Sequence, residues 1–371
     1  MKYSIVLLAL LISCNVKWAA KGNPEENWDD IRLPEGFRID VFAENVENAR
    51  SMCRTENGLI IVGTKGKGNV YVIEDKNNDY KADEVITLFS GLDMPNGVAV
   101  KNGNLYITEN SRVSIVTDIE KNYKTAPKLK VLNSDFPKES YHGWKYTAFG
   151  PDGKLYIPTG APCNICDFDS TFCNIYRMND DGTGKEIYVK GVRNTVGFDW
   201  HPYTKELWFT DNGRDWMGDT LPPDELNKVT EQGQHFGFPY CHSGELADPK
   251  FGAKMSCDSF VKPEINLGVH VAALGMKFYT GNMFPEKYKN TIFIAEHGSW
   301  NSSTPVGYRV TMVKLENGKA VSYEPFAEGW LKDGKAWGRP VDILQMPDGS
   351  LLVSDDFSDK IYRISYVGND N

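Results

Sequence analysis

Hydrophobic positions in this 371-residue chain come in short runs separated by polar turns, with no sustained helical stripe. Six of these runs share one form: Leu59 (LIIVGT), Leu105 (LYITEN), Leu155 (LYIPTG), Leu207 (LWFTDN), Ile292 (IFIAEH) and Leu351 (LLVSDD). Each follows a turn such as KNGN, PDGK, YTKE or PDGS, and each turn follows another apolar run, which is how antiparallel hairpins read. The steps between them are 46, 50, 52, 85 and 59 residues. A period of roughly 40 to 50 residues built from short strands marks a β-propeller. The chain is therefore expected to be all-β, a six-bladed β-propeller spanning residues 31–371.

That architecture sorts the polar residues. In a blade the first strand lines the central channel, and the loops leading into it and leaving the second strand share one face. The hairpin GVRNTVGFDWHPYTKELWFTDNGRD delivers Arg193-Asn194 and Asp211 to Asp215 to that face. Ahead of the other first strands stand Arg50 (before SMCRT), Asn96 (before GVAV), His142 (before GWKYTAF), His270 (before VAALGMKF) and Arg339 (before PVDILQM). A single loop arginine is ordinarily a solvated charge. Three of them recurring at equivalent positions around one channel would repel one another without a multivalent anion, and arginine matches carboxylates with planar bidentate donors.

The second strands end in the opposite charge: Glu109, Asp211 and Asp215, Glu296-His297, and Asp355-Asp356, with Asp224-Glu225 further along. Oxygen ligands of this kind suit a hard cation such as Ca²⁺. Asp75-Lys-Asn77-Asn-Asp79-Tyr-Lys-Ala-Asp83 has the spacing of a calcium loop but lacks the glycine and the closing glutamate, and it turns on the opposite face. His201, in an opposite-face turn, and His242, beside Cys241, read as structural.

Composition narrows the class. An aromatic content of 12% and a net charge of −9 describe a globular chain and argue against nucleic acid as a partner. Lys2 precedes an apolar run from Ile5 to Ile12, too short to span a bilayer and suited to an export signal. Its end, Leu11-Ile12-Ser13-Cys14, resembles a lipobox, so residues 1–14 are expected to be a lipoprotein-type signal peptide and residues 15–30 a tether; cleavage after Ala20 is the alternative. The domain is then exported, periplasmic or anchored at the outer membrane, touching a membrane only through one lipid. Of the six further cysteines, Cys241 and Cys257 flank one long loop and are the natural disulfide. Cys163 and Cys166 have zinc-like spacing, and connectivity beyond Cys241 and Cys257 is not readable.

The runs GVRNTVGFDWHPYTKELWFTDNGRD, PPDELNKV, GQHFGFPYC, LGMKFYTG, FIAEHGSWN, GYRV and GRPVDILQMPDGSLLVSDD resemble the sorbosone dehydrogenase branch of the pyrroloquinoline quinone (PQQ)-dependent sugar dehydrogenases, relatives of soluble glucose dehydrogenase. The resemblance implies PQQ, a quinone with three carboxylates, held with Ca²⁺ at the channel mouth. It makes His142 the general base and Arg193 its catalytic companion. Arg50, Asn96, Arg193, Asn194, His297, Trp300, Asn301, Arg309 and Arg339 become the cofactor-binding set, and Asp211, Gly213, Arg214 and Asp224 the metal set, Gly213 and Arg214 through two successive backbone carbonyls. Two departures stand: soluble glucose dehydrogenase has proline at the Arg214 position, and its cofactor-binding lysine has no clean counterpart near Arg309.

The expected reaction is hydride removal from a sugar or sugar aldehyde, with His142 taking the hydroxyl proton. Electrons would pass to an external cytochrome or quinone-linked carrier, since no haem motif is present. The rivals are a calcium-dependent lactonase of the six-bladed type and a non-catalytic binding propeller. The arginines argue against the first, because they would oppose a bare dication on the axis.

Overall fold

The computed structural model describes residues 28–368. The expected signal peptide, Cys14 and all of the tether but its last three residues lie outside the described residues. Six four-stranded antiparallel sheets form the propeller. Their first and second strands are Ala49–Arg54 and Ile60–Thr64, Gly97–Lys101 and Asn104–Thr108, Ala148–Phe149 and Leu155–Thr159, Gly197–Trp200 and Leu207–Asp211, Ala273–Phe278 and Ile292–Glu296, and Pro340–Gln345 and Leu351–Asp355. All six apolar runs of the repeat are second strands.

Those second strands bury both faces: all five residues of Leu155–Thr159, Leu207–Asp211 and Ile292–Glu296 are buried. A sheet packed between two neighbours has no solvated face, which is why these segments read as continuous apolar runs without alternation. The core is accordingly divided into clusters between blades. Phe42, Ile60, Val62 and Leu352 fill the junction of the sixth and first blades, and Ile175, Phe198, Leu207 and Phe209 that of the third and fourth. Near the axis the first strands pack so closely that a Cβ on Gly197 would lie 2.2 Å from the Leu274 carbonyl oxygen.

The ring is closed by strand exchange in sequence. The sixth blade takes its outermost strand from the start of the described chain, Phe37–Ala43, which pairs antiparallel with Lys360–Tyr366. Trp28–Asp30, expected in the tether, forms a 3-10 turn whose Trp28 ring packs 5.8 Å from Trp337 and 5.5 Å from Tyr362.

The long fourth step is explained by an insertion between the third and fourth strands of the fourth blade, Pro223–Val229 and Ile265–Val269. It carries the expected Cys241–Cys257 disulfide. Cys163 and Cys166 form a second disulfide, which rules out zinc there, while Cys53 and Cys173 are free thiols. In the Asp75–Asp83 turn the carboxylates accept backbone N–H groups of the turn itself, Asp75 from Asp79 and Tyr80, and Asp83 from Lys76.

Candidate functional site

A cavity of about 390 Å³ opens on the face that carries the loops into the first strands. Arg50, Arg193, Asn194, His270, His297, Trp300, Asn301 and Arg339 all line it, joined by Gly213 and Asp224. The structure thus gathers residues spread over some 290 positions of the sequence around one opening. A larger, more open cleft of about 840 Å³ lies between the outer strands of the sixth and first blades and contains none of the expected site residues.

His142 sits just behind the wall, 8% exposed, with its ring 4.4 Å from that of Tyr141 and 5.7 Å from that of Trp144, both of which line the cavity. Its backbone is left-handed, φ 50°. Nδ1 lies 2.9 Å from the Ala161 carbonyl oxygen. A carbonyl only accepts, so Nδ1 carries the proton and Nε2 is the free lone pair. Burial, reinforced by the Arg193 charge, holds the imidazole well below its ordinary pKa, so it is neutral at neutral pH. Glycine at 160 permits this packing, because a Cβ there would lie 2.6 Å from the Cβ of His142.

Arg193 is buried and heavily engaged. Nε donates to the Asn164 carbonyl (3.2 Å), Nη1 to the Asn212 carbonyl (3.2 Å), and Nη2 to both Asn164 Oδ1 (2.9 Å) and Asp215 Oδ2 (3.0 Å). A guanidinium has five N–H bonds, so one Nη1–H is left without a partner among the described residues. Asp211, at the end of the second strand, accepts the backbone N–H groups of Arg193 and Asn194 at 2.7 Å each and so shapes the turn that presents them. Burial raises its carboxyl to about 6.

The remaining cations differ in how they are compensated. Arg50 donates to Asn96 Oδ1 (3.0 Å) and pairs with Asp356 (2.8 Å), which also takes Nε2 of His297 (2.7 Å). Arg339 donates to the carbonyls of His297 and Gly298 and faces the Tyr308 ring. Lys65 lies 3.5 Å from the Trp144 ring centroid, its ammonium lowered to about 8 by burial and by the neighbouring Arg50. Neither Arg339 nor Lys65 has a carboxylate within ion-pair distance among the described residues. Asn301 Nδ2 is buried without a partner. The wall therefore offers unspent donors and unpaired positive charge, which favour an anionic ligand rich in oxygen.

Several sequence expectations need correction. Arg309 stands away from the cavity in the third strand of the fifth blade, paired with Glu296 at 2.8 Å and with Glu328 at 3.4 Å. Arg214 turns its side chain to Asp248, which also binds His242, and this leaves the expectation for its backbone carbonyl untouched. Asn96 is fully buried beneath the wall, donating to Ser51 and to the Lys145 carbonyl. Both oxygens of Asp211 are taken by backbone N–H groups. Glu109 pairs with Arg112, and Asp355 caps the turn at Phe357 and Ser358, so these acidic strand ends serve the fold. The arginine ring does not depend wholly on a ligand anion, since Arg50 and Arg193 have carboxylates of their own.

Asp224 and Gly213 do reach the cavity. Asp224 accepts the N–H groups of Gly213 (2.8 Å) and Ala273 (3.1 Å), and burial raises it to about 7. Among the described residues no three His, Cys, Asp or Glu side chains converge as a metal site. Lys65 and Asn164 are not among the residues the sequence singled out, whereas Asp215, expected at an acidic strand end, is the carboxylate that pairs with Arg193. The signal for Lys65 is its place just after the second strand of the first blade, at the strand end where other blades carry acids.

The chain matches the glucose/sorbosone dehydrogenase family over residues 106–363. An uncharacterized protein of Borreliella burgdorferi is 35% identical, with 92% of each chain covered. The PQQ-dependent pyranose dehydrogenase of Coprinopsis cinerea is 30% identical over 62% of this chain and 32% of its own length. In solved structures, the holo form of the PQQ domain of that pyranose dehydrogenase superposes with TM-score 0.75 at 18% identity, covering 92% of this chain and 98% of the domain. A Trichoderma reesei enzyme of carbohydrate-active family AA12, in its calcium structure, gives 0.78 at 18% identity, covering 93% and 99%. At such identities the superpositions establish the propeller fold.

Proposed function

Because the chain belongs to the glucose/sorbosone dehydrogenase family, as a sugar dehydrogenase of the propeller type, we propose that it oxidises a sugar or sugar aldehyde with PQQ as its bound oxidant and Ca²⁺ as the accompanying ion. One observation carries the cofactor assignment: Lys65 and Arg339 face the cavity without carboxylate partners, beside the unengaged donors of Arg193 and Asn301. Three carboxylates on a planar quinone fit that wall. Arg50, Lys65, Arg193, Asn301 and Arg339 would hold it, with Trp144 and Trp300 at its margins. Calcium would draw on Asp224 and the Gly213 segment, and on the cofactor's own oxygens, since too few protein side chains converge to hold it alone. Bound there, PQQ supplies a two-electron acceptor for hydride.

The geometry supports the following part for the protein itself. His142, neutral and with its proton fixed on Nδ1, presents Nε2 to take the proton of a sugar hydroxyl as the C–H bond breaks. The Ala161 carbonyl stabilises the imidazolium that forms. Arg193, held by four hydrogen bonds before any substrate arrives, keeps one unengaged N–H that would meet developing negative charge. A separate cytochrome or quinone-linked carrier would take the electrons away from the site. Two disulfides support reading the chain as exported, with a lipidated Cys14 as the proposed anchor.

The test is dye reduction by cofactor-free protein, with and without PQQ plus Ca²⁺, across aldoses, osones and lactones. Reduction that needs PQQ is the expected result. Lactone hydrolysis with calcium alone, and no response to PQQ, would replace this reading with the lactonase one.

A further inference from the structure

One loop, residues 160–173, touches both candidate catalytic groups. Its Ala161 carbonyl binds His142, and its Ala161 N–H donates to the Arg193 carbonyl (2.8 Å). Three residues on, Asn164 grips the guanidinium of Arg193 twice, through its backbone carbonyl at Nε and its side-chain oxygen at Nη2. The same Oδ1 accepts the Asp215 N–H (2.8 Å), and Asn164 Nδ2 donates to the Asp215 carbonyl (3.1 Å). Asn164 therefore joins Arg193 to the carboxylate that takes its remaining Nη2–H. It does so from inside the small ring closed by the Cys163–Cys166 disulfide.

We propose that Asn164, held by the Cys163–Cys166 disulfide, is a positioning residue for Arg193, and that this disulfide serves the site more than the stability of the fold. A long arginine side chain has many rotamers, and only a fixed acceptor pair selects one. Gripping Nε and Nη2 together sets both the position and the plane of the guanidinium, which points the spare Nη1–H. The two acceptors lie on one residue, so their separation is right only while that residue's backbone is constrained. A disulfide across three peptide bonds closes too short a loop to restrict the unfolded chain much, but it does fix local geometry. Ile165, inside the same ring, packs on the cluster of Ala161, Phe172 and Phe238 and anchors its other side.

The inference rests on the reading of Arg193 as facing the cofactor, and the experiment separates the two. Asn164→Ala, the pair Cys163→Ser/Cys166→Ser, and the triple variant are compared with wild type. Measured are the Tm without cofactor, the Kd for PQQ with Ca²⁺ by quenching of tryptophan fluorescence, and kcat and KM for an aldose that wild type oxidises. Losing charged hydrogen bonds predicts a PQQ Kd raised ~10-fold or more and kcat lowered ~10- to 100-fold. The Tm should stay within ~2 °C and KM for sugar within ~3-fold, as befits groups that act on Arg193 and not on the fold. The triple variant should be no worse than the poorer of the other two, since both changes release one grip. Asn164→Asp, which keeps the acceptor for Arg193 Nη2 but loses the donor to the Asp215 carbonyl, should recover part of the loss.

Wild-type Kd and kcat in Asn164→Ala, or losses that multiply in the triple variant, overturn the proposal while leaving the cofactor reading intact. If Asn164→Ala does not fold, the cysteine pair decides on the same readouts. Wild type that neither binds PQQ nor reduces dye with it removes the cofactor reading, and this inference falls with it.

Discussion

His142 shows how a residue's surroundings set its chemistry. The same burial and Arg193 charge that keep it neutral, as the proposed base must be, also hold its pKa below 6.5, so the acid limb of kcat should fall below that value. His142→Ala is expected to lower kcat at least ~100-fold with PQQ affinity within ~3-fold, checked by dye reduction and fluorescence quenching; loss of both would end its assignment as base. Lys65 gives the opposite limb. Its ammonium, lowered to about 8 by burial and Arg50, is charged below that pH and is further protonated when a carboxylate binds. PQQ affinity should therefore fall as pH rises through about 8, by up to ~10-fold per pH unit. Lys65→Met should weaken binding ~10- to 100-fold and flatten that slope. His142, Arg193 and Arg339 were legible from residue type and repeat position. Lys65 and Asn164 were not, because a lysine beside a glycine and an asparagine between cysteines have no distinguishing local pattern until the fold brings them to Arg193 and the cavity.

At the scale of elements, the turns and second strands were legible and the closing strand was not. Phe37–Ala43 pairs with Lys360–Tyr366 across more than 300 residues, and nothing local in FRIDVFA says which blade it completes. The Phe37 ring meets Phe284, Tyr288, Phe326 and Tyr366 edge-on at 4.7 to 5.2 Å, locking the N-terminal strand to the fifth and sixth blades. Phe37→Ala should cost about 2–4 kcal/mol of unfolding free energy, measured by denaturant titration. A loss below ~1 kcal/mol would mean that the ring is held shut by backbone pairing alone. The fourth-blade insertion was visible as a long step and a cysteine pair, but its return to the site was not. Ser243 donates its backbone N–H to Glu225 at 2.6 Å, and Asp248 draws the Arg214 side chain away from the cavity.

For the molecule as a whole, buried acids hold the sixth blade to the first and fix its own turn. Asp342 in the sixth blade accepts the Met52 N–H of the first at 2.8 Å, and burial raises it to about 6; Asp355 is raised to about 6 in the same way. Between the ordinary carboxylate value of 3.8 and about 6, the folded chain holds protons that the unfolded chain has released. Their contribution to stability is fully present below 3.8 and is lost as pH rises through about 6. Asp342→Asn keeps the acceptor for Met52 without the charge, so its Tm relative to wild type should be higher at about pH 7.5 than at about pH 5, by an amount on the order of 2 kcal/mol in stability. A Tm difference that does not change with pH would refute that account.

The sequence alone determined the fold class, the number of blades and the face that carries the site. Strand length, apolar runs and turn chemistry are local properties, and their recurrence leaves few architectures that can bury them. The family likeness of its motifs added the cofactor class as an expectation. Only the tertiary structure decided which charges are spent and which are free. Arg309 and Arg214 are neutralised by Glu296 and Asp248, while Lys65 and Arg339 are left facing the cavity. Pairing of charges and aim of donors depend on distances of a few ångströms between residues far apart in the chain, and no local pattern encodes them.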